Sequence, residues 1–190
     1  MSEMDSLNFK RNNIEFDVYR AKCKHFHEIL LTVKAKLPNM YKKLISDFDT
    51  SNSLEEIYSL PQTVSSETYI WSFQYRVLNY ILCTNSKLFE IDLSLNDKCT
   101  FCSSAKEELY QLFFECSHAQ IFWKAFSSLW FEFVKENITV SLKYTILGLL
   151  NNTDIINYLL IFGKLCIWEC RKAGIFPDCS IFLKKTKNEI

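Results

Sequence analysis

The stretch KCTFCSSAKEELYQLFFECSH, residues 98–118, contains three of the eight cysteines in the chain. Cys99 and Cys102 are separated by two residues, a spacing that lets two thiolates reach one zinc ion from a tight turn. Cys116 is the third candidate ligand, with thirteen residues between it and Cys102. Structural zinc is almost always held by four ligands in a tetrahedron. The pattern therefore predicts a metal site that needs one further donor.

The fourth donor in this pattern is His118 or, less suitably, Gln111, because structural zinc is bound mostly by cysteine and histidine. His118 faces the same way as Cys116 if residues 116–118 are extended, whereas on a helix positions two apart diverge by about 200°. Its role therefore depends on where the following helix begins. The alternative is a degenerate knuckle whose three thiols are packed together without a metal.

Composition predicts a mostly α-helical fold with a large aromatic core. Hydrophobic residues make up 48% of the 190 residues and aromatic residues 15%, which is too apolar for a disordered chain. Glycine and proline occur three times each, so the turn chemistry of a many-stranded sandwich or barrel is missing. We therefore expect one or more small helical domains around the short Cys-x-x-Cys loop.

The N-terminus and the cysteines together predict an intracellular protein, cytoplasmic or nuclear. The first residues, MSEMDSLN, lack the basic start and apolar stretch of a secretory signal. The most apolar run, 155–166, includes Lys164 and falls short of the ~20 apolar residues that a bilayer requires. Cysteines in such a chain are expected to be reduced, and hence to bind metal or pack in the core.

The hydrophobic pattern predicts helices along most of the chain. Their expected ranges are 14–37, 40–48, 67–83, 117–137 and 153–173, with Ser117 and Thr153 as N-caps and Gly174 as a left-handed terminator. We divide the chain into an N-terminal helical segment (1–50), a central region (51–137) with the knuckle at 99–118, and a C-terminal helical tail (138–190).

Several short motifs of the central region resemble a known family. They are, in order, SFQYRVL (72–78), Thr84-Asn85, Cys99-Thr-Phe-Cys102, Glu107-Glu108, Gln111-Leu-Phe113, Cys116 and Phe122-Trp123. This series resembles the C-terminal zinc-binding region of LINE-type non-LTR retrotransposon reverse transcriptases. More loosely, Ile146-Leu-Gly148, Asn157-Tyr158, Lys164 and Arg171 resemble the helical region that follows it. The resemblance implies zinc ligation by the three cysteines, but the position of the family's histidine is Gln111 here.

The resemblance implies a non-catalytic accessory module that binds RNA or DNA. The basic residues near the knuckle, and hence the candidates for phosphate contacts, are Arg76, Lys98, Lys106 and Lys124. The chain has no Asp-Asp pair of the kind that holds the two metal ions of a polymerase, and no phosphate-binding glycine loop. We therefore expect no enzymatic activity and no small-molecule substrate.

The charge distribution favours a different class of function. The chain has 22 basic and 22 acidic side chains, and residues 51–163 carry seven basic against twelve acidic ones. A freestanding DNA-binding domain would show a clear basic stripe. The alternative is a structural or protein-interaction fragment whose exposed faces meet a protein partner, or a degenerate relic without activity.

Overall fold

The computed structural model describes residues 8–11, 14–17, 39–50, 52–149 and 154–189. The chain divides into two compact units, Met1–Pro38 and Asn39–Ile190. In the described residues the fold is mostly helical, as the composition predicts. The predicted zinc knuckle lies in the second unit.

The described part of the first unit is a short antiparallel hairpin. Strand β1 (Asn8–Arg11) pairs with β2 (Ile14–Asp17), and Phe9 lies opposite Phe16. The prediction of a helix from Ile14 is wrong for residues 14–17, because the alternation of apolar and acidic residues there has the period of a strand. The remainder of that predicted helix, 18–37, lies outside the described residues.

The second unit is built from helices and one π-helical turn. In chain order they are α1 (Asn39–Phe48), α2 (Leu54–Val64), α3 (Thr68–Leu78), α4 (Asn85–Glu90), the π-helical turn (Gln111–Glu115), α5 (Ser117–Val134), α6 (Leu142–Leu147), α7 (Asp154–Ala173) and α8 (Cys179–Glu189). Among the described helices, none combines the length and apolar character needed to cross a bilayer.

Local capping groups set several helix ends. Ser53 and Glu56 form a capping box at the start of α2, in which each side chain accepts a hydrogen bond from the other residue's backbone N–H. At the end of α7, Gly174 has a φ of 67°, the left-handed conformation predicted for it, and the Ile175 N–H donates to the Cys170 carbonyl. The predicted cap Thr153 lies outside the described residues.

The core is formed around α3 and α7. Ile70, Phe73 and Val77 on α3 are fully buried, which confirms the predicted central helix, although it ends at Leu78 rather than at residue 83. Helix α7 is buried along most of its length and lies so close to α5 that a Cβ atom at Gly163 would lie 2.8 Å from the Trp123 ring. No larger residue fits at that crossing without displacing the indole.

A polar network crosses this core between α3, α6 and α7. The Lys164 amine, 1% exposed, donates to the Gln74 side-chain oxygen at 2.5 Å and to the Ile146 carbonyl at 3.4 Å. The Gln74 amide also donates to the Ile146 carbonyl, at 2.8 Å. Burial lowers the pKa of Lys164 from 10.5 to about 7, because a buried amine without a counter-charge is favoured in its neutral form.

This burial predicts a pH-dependent stability. Between pH 7 and 10.5 the unfolded chain binds a proton at Lys164 that the folded protein does not, so the free energy of unfolding rises with pH over that window. We expect Lys164→Met to remove this contribution, so that wild type gains stability relative to the variant as pH rises from 7 to 9. Urea unfolding at several pH values measures it.

The matched control is Lys172→Met, which alters an exposed lysine on the same helix. Its unfolding free energy should follow the wild-type pH dependence. Identical pH dependences for wild type and Lys164→Met would show that the buried amine stays protonated in the fold.

Candidate metal centre

A small hairpin presents the first two cysteines of the knuckle. Lys98 and Lys106 form an antiparallel bridge at its base, and the Cys99 N–H donates to the Ala105 carbonyl at 2.8 Å. Ser103, at the tip, has a φ of 54°, and its N–H donates to the Cys99 carbonyl. This tight reversal brings Cys102 back toward Cys99.

The π-helical turn delivers the third cysteine from a different direction. The Cys116 N–H donates to the Gln111 carbonyl, five residues earlier, at 2.7 Å. Leu112 and Phe113 of the same turn are fully buried, which holds it against the core. π-Helical turns of this kind are often found at functional sites.

Helix α5 begins directly after Cys116. Cys116 is its N-cap, with extended backbone dihedrals, and Ser117 is its first helical residue. The predicted cap at Ser117 is therefore one residue too late. The helix ends at Val134, earlier than the predicted residue 137, and Lys135 follows in the left-handed conformation.

The buried carboxylate of Glu107 holds the base of the hairpin. The Thr100 N–H and hydroxyl donate to Glu107 Oε2 at 2.7 and 2.8 Å, and the Asn85 N–H donates to Oε1 at 2.8 Å. Arg171, near the end of α7, places Nε and Nη2 each 2.8 Å from Oε1. One side chain thus connects the knuckle, the start of α4 and α7.

The sequence motifs include both Glu107 and Arg171 but do not indicate that they form an ion pair. Glu107 and Arg171 are both among the motif residues quoted for the family resemblance, but they lie 64 positions apart. Arg171 also donates to the Asn85 side chain at 2.8 Å and lies over the Trp168 ring at 4.8 Å. The sequence shows only that one motif residue is acidic and another is basic. It does not show that the two side chains are in contact.

The three knuckle cysteines form one cluster. The Sγ atoms of Cys99, Cys102 and Cys116 all lie within 4.8 Å of one another. Those of Cys99 and Cys116 are 3.8 Å apart, which matches the edge of about 3.8 Å of a tetrahedron with Zn–S bonds near 2.3 Å. Cys99 and Cys116 are buried, and Cys102 is partly exposed. The donor set and its spacing fit zinc.

Hydrogen bonding favours a thiolate in this cluster. The hydrogen bond with the Cys116 thiol, which outweighs burial, lowers the pKa of Cys99 to about 5, and the same bond raises that of Cys116. Burial raises the pKa of Cys102, but hydrogen bonds from Ala105 and Ser104 outweigh it and the net shift is downward. A cluster that already stabilises negative charge is suited to a cation.

The structure brings Gln111 to the cluster and leaves His118 outside it. The Gln111 amide nitrogen lies 3.5 Å from Cys102 Sγ. The His118 imidazole stacks on Phe176, with ring centroids 4.3 Å apart and planes 9° apart. Because α5 begins at Ser117, residues 116–118 are not extended throughout, and this is the condition on which ligation by His118 depended.

The predicted phosphate-contacting residues divide into two groups. Lys98 and Lys106 are exposed on the knuckle hairpin, where Lys106 lies 3.7 Å from Glu90 and 3.2 Å from Glu108. Arg76 is exposed on α3 and Lys124 is exposed on α5. Only the first group lies on the element that carries Cys99 and Cys102.

Comparison with known families agrees with this assignment. Residues 36–123, somewhat less than half of the chain, match the family model described as zinc-binding in reverse transcriptase. The matched range includes all three clustered cysteines. No curated protein matches the chain. The family match and the cysteine cluster together support a region similar to the zinc-binding region of reverse transcriptases and point to zinc as its metal.

The contacts of Glu107 predict that neutralising its carboxylate strongly lowers the free energy of unfolding. We expect Glu107→Gln to lower the free energy of unfolding by about 3 kcal/mol, because it leaves the largely buried Arg171 without its counter-charge. The neighbouring Glu108→Gln is the matched control, since that exposed side chain should contribute no more than about 0.5 kcal/mol. Chemical denaturation followed by tryptophan fluorescence measures both, and equal losses would contradict the assignment.

The cluster predicts which cysteines the protein needs in order to bind zinc. Purified wild type should hold about one zinc ion per chain, and Cys102→Ser should weaken binding about a hundredfold or more through loss of one Zn–S bond. Cys83→Ser should bind like wild type, because Cys83 is an exposed free thiol outside the cluster. Elemental analysis and competition with a chelator measure the difference. Equal zinc loss in both variants would contradict the site.

Proposed function

We propose that this zinc-binding region is a non-catalytic, nucleic-acid-binding accessory module from the C-terminal part of a LINE-type reverse transcriptase. The observation that carries the proposal is the position of Lys98 and Lys106. Both are exposed and bridge each other at the base of the hairpin that presents Cys99 and Cys102. A bound zinc would fix this hairpin, and with it the direction of two positive charges.

The two lysines remain available to phosphate. Lys98 donates to the Ser104 carbonyl at 3.4 Å, which leaves other hydrogens of its ammonium group free to bind. The Lys106 partners Glu90 and Glu108 are themselves well exposed, and exposed ion pairs contribute about 0–1 kcal/mol. Exchange of such a carboxylate for a phosphate oxygen therefore costs little.

The role of zinc in this proposal is structural. Cys99 and Cys102 come from the hairpin, and Cys116 precedes α5, so one ion would join two separate elements. An ion that joins two separate elements stabilises the fold, which is the role of structural zinc. Together with the missing Asp-Asp pair, this supports a module that binds and positions without performing chemistry.

We further propose that the module works in the cytoplasm or nucleus. The described cysteines are all free thiols, and three of them form the candidate metal site. Zinc thiolate ligands persist where the surroundings are reducing. An intracellular compartment satisfies this requirement and also contains the proposed RNA or DNA partner.

A protein-interaction function is the second candidate, supported by an exposed apolar segment. Phe89, near the end of α4, and Ile91, Leu93 and Leu95, just beyond it, are 48%, 60%, 72% and 98% exposed. Several exposed apolar side chains close together in the chain are typical of a contact with another protein. In this case the module would pack against a protein partner.

The test is an electrophoretic shift with structured RNA, using the zinc-loaded full chain at about 50 and 200 mM salt. Binding should weaken steeply with salt. Lys98→Gln and Lys106→Gln should each reduce affinity, and the double variant should reduce it about tenfold and lower the salt dependence, because two phosphate contacts are lost.

Lys135→Gln is the control with the same charge change as each single variant. Lys135 is exposed and directly follows α5, about 27 Å along the helix from the cluster. It should bind RNA like wild type. No shift at low salt would overturn the nucleic-acid proposal, and association of that same protein on a sizing column would then favour the interaction role of the apolar segment.

A further inference from the structure

One buried oxygen lies beside the cysteine cluster with nothing to bind. Gln111 is 7% exposed. Among the buried side-chain nitrogen and oxygen atoms of the described residues, its Oε1 is the one without a hydrogen-bond partner. Such an atom loses its hydration without compensation. An unpaired polar group in a native fold calls for an explanation, and an amide that can rotate to place this oxygen on a bound ion is one.

The Gln111 carboxamide lies against the cysteine cluster. Its nitrogen is 3.5 Å from Cys102 Sγ. In a tetrahedral zinc site, a sulfur and an oxygen ligand are separated by about 3.6 Å. The amide end of Gln111 therefore lies at the distance from Cys102 that a fourth ligand would have.

The oxygen and the nitrogen of a carboxamide exchange places when the group rotates by half a turn. Its oxygen and nitrogen have nearly the same size and geometry, so rotation about the last side-chain bond brings Oε1 to where Nε2 now lies. In one orientation Gln111 donates an N–H to a thiolate. In the other it presents an oxygen lone pair to a cation bound by the three sulfurs.

We propose that Gln111 completes the metal site through its carboxamide oxygen, so that zinc is bound by the thiolates of Cys99, Cys102 and Cys116 and by Gln111 Oε1. This inference rests on the zinc site of the proposed function. It does not depend on nucleic-acid binding.

The packing of His118 supports this assignment over the histidine. The imidazole is stacked on Phe176 and lies 6.4 Å from the Phe101 ring, centroid to centroid. It lies in the first turn of α5, whose N-cap is Cys116. Ligation by His118 would require it to leave this aromatic stack, whereas Gln111 needs only the rotation of its amide.

A carboxamide makes a weaker site than an imidazole would. Zinc prefers sulfur and nitrogen donors, and a neutral amide oxygen is a harder and poorer ligand. The fourth bond is then the one that opens most readily, while the three thiolates keep the ion in place. The chain would therefore bind zinc less tightly than a variant with histidine at this position.

X-ray absorption spectroscopy of the zinc-loaded full chain tests the ligand set. Wild type should show three sulfurs near about 2.3 Å and one oxygen at about 2.0–2.2 Å, without the outer-shell scattering of an imidazole. His118→Ala should leave the spectrum unchanged. Gln111→His should introduce the imidazole pattern and raise zinc affinity about tenfold or more.

Chelator competition and amide NMR distinguish the Gln111 oxygen from a bound water. Gln111→Leu should weaken zinc binding about tenfold, whereas Gln120→Leu, at an exposed glutamine of α5, should have no effect. In wild type, zinc should shift the side-chain amide resonances of Gln111 and leave those of Gln120 in place.

The outcomes separate this inference from the zinc site itself. An imidazole pattern in wild type that His118→Ala removes would overturn it and assign His118. Unchanged affinity in Gln111→Leu, or Gln111 amide resonances that do not respond to zinc, would overturn it in favour of water. A protein that binds no zinc at all would overturn the metal site of the proposed function as well.

Discussion

The buried carboxylate of Glu107 is the interaction on which the second unit depends. It accepts hydrogen bonds from the hairpin at Thr100 and from the start of α4 at Asn85, and it pairs with Arg171 of α7. A carboxylate with no exposed surface is tolerated only when it is fully hydrogen-bonded and its charge is balanced. Three segments that are distant in sequence must therefore be in place together. The position of the knuckle thus depends on the correct packing of α4 and α7 as well as on its own residues.

The zinc site and the Glu107 network hold the same hairpin by different means. Glu107 anchors its base to the helical core, and a metal bound by Cys99, Cys102 and Cys116 would anchor its tip to the beginning of α5. Small zinc knuckles without other support unfold when the metal is lost. Here a large aromatic core, with Phe73, Phe113 and Phe122 fully buried, supports the loop, so metal binding and folding are separable to a greater degree than in an isolated knuckle.

The features that the sequence predicts correctly are those set by residues close together in the chain. The central helix, the left-handed Gly174 and the grouping of Cys99 with Cys102 follow from periodicity, a missing side chain and a two-residue spacing. The strand at Ile14–Asp17 was mistaken for a helix because its four residues also fit the start of a longer helical pattern. The contact between Glu107 and Arg171 depends on tertiary packing, so no spacing rule could reveal it. The role of His118 depended on a helix start that sequence fixes only to within a few residues.

The π-helical turn between Gln111 and Cys116 makes the metal site sensitive to chain length. Its five-residue hydrogen bond accommodates one residue more than an α-helical turn would. Inserting one more residue there would exceed what the turn absorbs and rotate Cys116 by about 100° relative to Gln111. Many side-chain changes within the turn would leave the ligand directions intact, but a single-residue insertion would not. In this stretch natural variation is therefore expected to alter composition far more readily than the number of residues.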